Sequence, residues 1–257
     1  MKKQVTLVDK KAGIFQVTTQ DERFYAFPSI DPKTKLPVYN YKDSITWVCS
    51  FLGKDSHLMK WIAAKGYDES QAEMKLAGAR GSKIHSAIDQ LLKTKEVVME
   101  DKFYHSENDQ LEELTPDEYQ SVLAFAEWYK SVNPTIVMNE GVVFSEEDNI
   151  AGTVDLVAEI NGEPWIIDFK TGKAVYMEYE MQLSAYKKCL NEMHKNKFKN
   201  ARMAVLLLNA AVNKNGYRFT ETAERYDLFL ATKKIKDAKS KDKGPAQVTL
   251  PVKITLE

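Results

Sequence analysis

The stretch GTVDLVAEINGEPWIIDFKTGK, residues 152–173, decides how this chain is read. Two apolar runs flank Asn161-Gly162, the dipeptide that most strongly favours a two-residue hairpin turn. With those two residues at the centre of the turn, Ile160 faces Glu163, Val157 faces Ile166, and Asp155 faces Asp168. Counting outward puts the acids on a non-hydrogen-bonded pair, where opposing side chains come closest. Lys170 lies two residues after Asp168 and projects from the same side of its strand. Pro164 fits, because this register asks no N–H of it toward the partner strand.

Like charges set opposite each other destabilise a hairpin. A shared proton, the Lys170 ammonium or a divalent cation would each offset the repulsion. The cation would make the pair a catalytic arrangement. Hard cations such as Mg²⁺ take carboxylate oxygens and keep waters in their remaining positions. With an ammonium alongside, such a site activates water and stabilises a phosphorane-like transition state. The plainer alternative is a set of solvent-facing charges on an amphipathic hairpin, a reading that suits Glu159 and Glu163.

Outward from the hairpin, TIVMNEGVVF reads as a preceding strand and about 178–193 as a following helix. RMAVLLLNA is an apolar strand, YRFTE a further one, and a final helix is expected near 221–238. KKIKDAKSKDKGPAQ reads as a charged tail before a last short strand. Upstream, residues 1–43 read as short strands and turns with IDPKTKLP as a loop, and the pattern turns helical from Ser44. Ile84, Ala87, Ile88, Leu91 and Leu92 recur with the spacing of a helix face packed on a core. DKFYHSENDQLEE is polar and reads as a surface loop. Thr115, Pro116 and Glu118 then supply an N-cap, a proline at the first helical position and a capping-box acid. The order predicts an α/β (α+β) fold with a mixed central β-sheet flanked by helices, plus an N-terminal helical section. Residues 1–134 hold the N-terminal strands and the helical section with the His85 helix, residues 135–257 the core, together forming one structural unit.

Composition narrows the chemistry. At 257 residues with 44% hydrophobic and 28% charged side chains, the chain can bury a sizeable core. A net charge of −1 confines any nucleic-acid contact to a local patch. Cys49 and Cys189 cannot hold an iron–sulfur cluster or a four-cysteine zinc site, and they suggest a reducing compartment. No stretch approaches a membrane span and the N-terminus carries no apolar leader, so a cytoplasmic protein without membrane contact is expected. TGK at 171–173 lacks the upstream glycine and the following hydroxyl of a phosphate loop, so no nucleotide cofactor is expected.

GTVDLV, IIDFKTG and QLSAYKKCL, in this order and with a histidine on an upstream helix, resemble the PD-(D/E)xK nuclease superfamily, specifically its RecB-like exonuclease branch. The matching residues are Gly152 and Asp155, Asp168 and Lys170, Gln182 and Tyr186, and His85 in ARGSKIHSAI. The resemblance implies a restriction-endonuclease-like core and a Mg²⁺- or Mn²⁺-dependent deoxyribonuclease. Asp155, Asp168, His85 and the main-chain carbonyl of Phe169 would hold the metal, and Lys170 would orient water. Gln182 and Tyr186 would lie beside the site and touch the DNA strand. Their plainer reading is the edge of an amphipathic helix, and that of His85 a packed rim residue. Glu140 stands where related sequences often carry a glutamate, which implies a role supporting the metal ligands or holding the metal itself; its plainer reading is an exposed strand acid.

Arg80, Lys83 and Lys173 are the candidate phosphate contacts, the first two near the expected start of the His85 helix. The chain carries no helicase sequence, so a helicase or recombination protein would act in trans. By resemblance, exonuclease action on DNA ends or single strands, in repair, recombination or phage DNA metabolism, is the first reading. An endonuclease, a flap nuclease, or an inactive nucleic-acid-binding module of the same fold are the alternatives.

Overall fold

Asn161 and Gly162 both adopt positive φ, +53° and +80°, which closes the hairpin with the turn that matches strand twist. Around it, the computed structural model describes residues 4–19, 22–53, 56–209, 211, 213–240 and 244–245. The last short strand expected after the charged tail lies outside the described residues.

Four strands come first, β1 (Gln4–Asp9), β2 (Ile14–Thr18), β3 (Arg23–Ile30) and β4 (Pro37–Ser44), each antiparallel to the next. Helices α1 (Ile45–Cys49), α2 (Ser56–Lys65) and α3 (Tyr67–Thr94) follow. Next come β5 (Lys102–His105), β6 (Gln110–Glu113) and α4 (Pro116–Val132). The central strands are β7 (Thr135–Ser145), β8 (Ile150–Ile160) and β9 (Glu163–Lys170). The described elements close with α5 (Met177–Met193), β10 (Arg202–Leu208), β11 (Tyr217–Glu221) and α6 (Tyr226–Lys239). Among the described residues, one mixed sheet of nine strands runs β1-β2-β3-β4-β8-β9-β10-β11, with β7 paired to the other edge of β8. Strand β10 runs parallel to β9, and α5 makes the crossover between them.

Strands β8 and β9 are buried on both faces, so their sequences run almost wholly apolar. On one face Ile45, Val48, Met181, Leu183 and Phe229, from α1, α5 and α6, pack on Val157, Ile166 and Val205. On the other, Ile84, Ile88, Phe125 and Trp128, from α3 and α4, pack on Leu156, Ile167 and Leu206. Burying each such side chain contributes about 1.5–3 kcal/mol. The α4 start carries the expected capping box, with Thr115 and Glu118 each receiving the other's N–H.

Three readings need correction. The polar stretch read as a loop is the β5–β6 hairpin, where Phe103 alone of the strand residues is deeply buried, too little apolar alternation to announce a strand. Helix α3 begins at Tyr67, because Gly78 and Gly81 continue it instead of ending it. The last helix starts at Tyr226 rather than near residue 221, because Tyr217–Glu221 is held as a strand against β10.

Candidate functional site

The site forms where the sheet forks. On one edge of β8, β4 pairs at Ile150 and Ala151 and β9 pairs from Leu156 to Ile160. Residues 152–155 lie between these two ladders. At this fork Asp155 Oδ2 accepts the Phe169 N–H at 2.6 Å, a donor that a continued ladder would give to Val154. The ladder keeps the expected register as far as Leu156–Ile167 and then stops. The direct cross-strand pair expected of Asp155 and Asp168 is therefore not formed, because a carboxylate has replaced a main-chain acceptor. Side-chain alternation slips at the same point: Val154 and Val157 face the α5 layer, whereas Leu156 faces α3 and α4.

His85, on α3, reaches into the fork. Its Nδ1 lies 3.5 Å from Asp155 Oδ1 and 3.6 Å from Glu140 Oε1, while Nε2 is 3.1 Å from the Phe169 carbonyl. Nε2–H donation to that carbonyl fixes the ring so that Nδ1 faces the two acids. Ligand atoms of His85, Glu140 and Asp155 all lie within 4.8 Å of one another. Glu140 stands opposite Asp155, between the Asn139–Leu156 and Gly141–Val154 pairs, with φ at +47° inside a strand. A left-handed glutamate there is strained, and strain of this kind persists where surrounding structure holds it. Its Oε1 is buried without a hydrogen-bond partner among the described residues. Two carboxylates and an imidazole converging around an unsatisfied oxygen fit a divalent cation.

Asp168, completely buried, has other partners. Its Oδ1 accepts from Gln182 Nε2 at 2.8 Å, and Oδ2 forms an ion pair with Lys170 Nζ. The same Gln182 amide donates to Tyr186 Oη at 2.8 Å, so α5 holds Asp168 through one side chain spaced a helical turn from another. Tyr186 packs on Gly152, where a Cβ would lie 2.5 Å from the ring. This contact is why glycine stands three residues before Asp155. Lys170 Nζ also sits 4.8 Å from the centre of the Tyr179 ring.

The electrostatics separate the two acids. Burial raises the Asp168 pKa, Lys170 pulls against it, and the net is a rise to about 6. Burial would raise Asp155 too, but His85, Lys170 and the Phe169 N–H hold it below the usual carboxylate range. Burial favours neutral His85, yet Asp155 and Glu140 push its pKa up to about 10. Without a metal, an imidazolium thus supplies the positive charge at this cluster.

The structure brings His85, Glu140, Asp155, Asp168, Phe169, Lys170, Gln182 and Tyr186 to one cleft of about 1010 Å³, which Arg80 also lines. Asp168 is not among the three clustered ligand groups; Glu140 is, in the place the sequence reading gave to Asp168. The Phe169 carbonyl holds His85. Tyr186 is buried, which leaves it no exposed surface to touch a DNA strand. Lys83 needs outright correction as a phosphate contact: 1% exposed, it bonds the Glu113 carbonyl and pairs with Glu118, both at 2.9 Å. Nor do Arg80 and Lys83 lie at a helix start, because α3 extends well before them. Lys173 is exposed on the turn after β9, beyond the residues lining the cleft. Among the described residues no helix is long and apolar enough to cross a membrane.

Residues 58–247 match the sequence model of the PD-(D/E)XK nuclease superfamily. No curated protein matches the chain. Among solved structures, an alkaline exonuclease (LHK-Exo) from Laribacter hongkongensis is 11% identical, with 77% of this chain and 84% of that chain covered at a TM-score of 0.38. Its complex with dAMP gives 12%, 76%, 83% and 0.38. A structure of SSO0001 gives 12%, 65%, 77% and 0.32.

Proposed function

The chain belongs to the PD-(D/E)XK nuclease superfamily, and on that premise we propose that it is a metal-dependent deoxyribonuclease acting on DNA ends or single strands. The observation that carries this reading is the meeting, in one cleft, of the His85–Glu140–Asp155 donor set with the Asp168–Lys170 pair. Asp155, Glu140 and His85 would hold a divalent cation such as Mg²⁺ or Mn²⁺, which would supply Lewis-acid neutralisation of phosphate charge. Lys170 orients the attacking water with its ammonium and offsets charge developing on phosphorus. Asp168 fixes that ammonium, and Gln182 fixes Asp168. His85, held by the Phe169 carbonyl, keeps its Nδ1 lone pair toward the donors once the proton has left.

Exonuclease action, a cytoplasmic setting and a helicase or recombination protein acting in trans belong to the same proposal. The test is digestion of end-labelled single-stranded, duplex and circular DNA with Mg²⁺, Mn²⁺ or EDTA. Loss of linear substrates only, and only with metal, is the expected result. Cutting of circles would make the enzyme an endonuclease. Binding without cutting in either metal would reduce it to a DNA-binding module.

A further inference from the structure

The cleft has a second wall, built from β1–β3, which precede the residues matched to the family. Thr6, Gln16 and Tyr25 stand in register across β1, β2 and β3, and all three line the cleft. Tyr25 Oη lies 3.1 Å from Gln16 Nε2 and 3.1 Å from Thr153 Oγ1. Thr153 is two residues before Asp155, so this polar row is tied to the strand that carries the site. Arg23 lies two residues before Tyr25 on β3 and therefore shares its face. On the opposite wall, α3 presents Arg80.

Charge decides what these walls can hold. Asp89, Glu140, Asp155 and Asp168 all line the cleft, and unaided they would repel a polyanion. Two lining lysines are already engaged, Lys93 with Asp89 at 2.7 Å and Lys170 with Asp168. Among the described residues, Arg23 and Arg80 are the lining lysine or arginine side chains that form no ion pair with a carboxylate. The Nε of each is buried without a hydrogen-bond partner among the described residues, and Arg80 Nη2 meets the Asp117 carbonyl at 3.4 Å. A buried guanidinium N–H with no acceptor is costly, and phosphate oxygens match its geometry.

We infer that β1–β3 form the second wall of the substrate path, and that Arg23 with Arg80 grips phosphates of the bound strand from either side of the site. The inference rests on the nuclease reading and adds to it the residues that position the nucleic acid. Neither arginine touches the reacting atoms; both are positioning residues.

The test measures binding apart from cutting. Full-length Arg23→Ala and Arg80→Ala proteins are titrated with a fluorescent single-stranded oligonucleotide in EDTA across a NaCl series. Each substitution is expected to weaken binding about tenfold and to flatten the log Kd against log salt slope by about 0.7. In metal, KM should rise with little change in kcat, and Arg23→Lys should recover part of the affinity. Arg218→Ala, on β11 and away from the cleft, should leave Kd and slope unchanged. Arg23→Gln serves if Arg23→Ala melts early. A wild type that cuts DNA while Arg23 variants keep its affinity and slope overturns this inference alone, as does a loss equalled by Arg218→Ala. A wild type that neither binds nor cuts overturns the nuclease reading as well.

Discussion

The β8–β9 hairpin has two halves that obey different rules. From the Asn161-Gly162 turn to Leu156–Ile167, every position is paired in the expected register and the buried side chains are apolar. Beyond that point pairing gives way: a carboxylate takes a main-chain N–H, and Asp155, Asp168 and Lys170 gather where the ladder would have continued. The paired half stabilises the fold. The forked half brings buried charge together, which costs stability unless each charge has a partner. Rigidity in one half is what lets the other hold repelling groups in place.

Substitutions test whether the halves separate function from stability. The largest effect is expected at the fork: Lys170→Ala or Asp168→Ala should lower DNA cleavage by about 10³-fold or more, near 4 kcal/mol of transition-state stabilisation, with a cooperative melt retained. Cleavage at the wild-type rate would remove these residues from the chemistry. Gly152→Ala, still at the fork, forces the Tyr186 ring away and with it the partner of Gln182. A loss of about 1–3 kcal/mol in denaturant unfolding is expected, with activity falling alongside.

A smaller effect is expected with pH. His85, raised to about 10 in the metal-free protein, stabilises that state fully below its ordinary value of 6.5, and the contribution is lost as pH rises through about 10. A metal must displace that proton, so Mn²⁺ affinity followed by calorimetry should tighten with pH over this window, by up to about tenfold per unit. A flat profile would separate His85 from the ion. The smallest effect belongs to the paired half. Gly162→Ala, at φ +80°, should cost about 1–2 kcal/mol in stability, while kcat stays unchanged in the folded protein.

What could be read in advance follows the same division. Local chemistry announced the turn, the register, the capping box and the Ile84–Ile88 stripe, because each depends on neighbours a few residues away. The resemblance named the residues of the fork but not their arrangement. That depends on which acceptor the Phe169 N–H finds, a choice made only when α3 brings His85 against β8 and β9. Lys83 looked like a free cation because its partner Glu118 sits on another helix. The resemblance pointed to Glu140, but nothing in TIVMNEGVVF foretells a left-handed backbone at its centre.

The most direct measurement is anomalous scattering from crystals of the protein grown with Mn²⁺. A peak is expected within bonding distance of the Asp155 and Glu140 carboxylates and His85 Nδ1, with Lys170 alongside and not coordinated. Manganese bound elsewhere in the protein, or no peak at the fork at saturating ion, would contradict it.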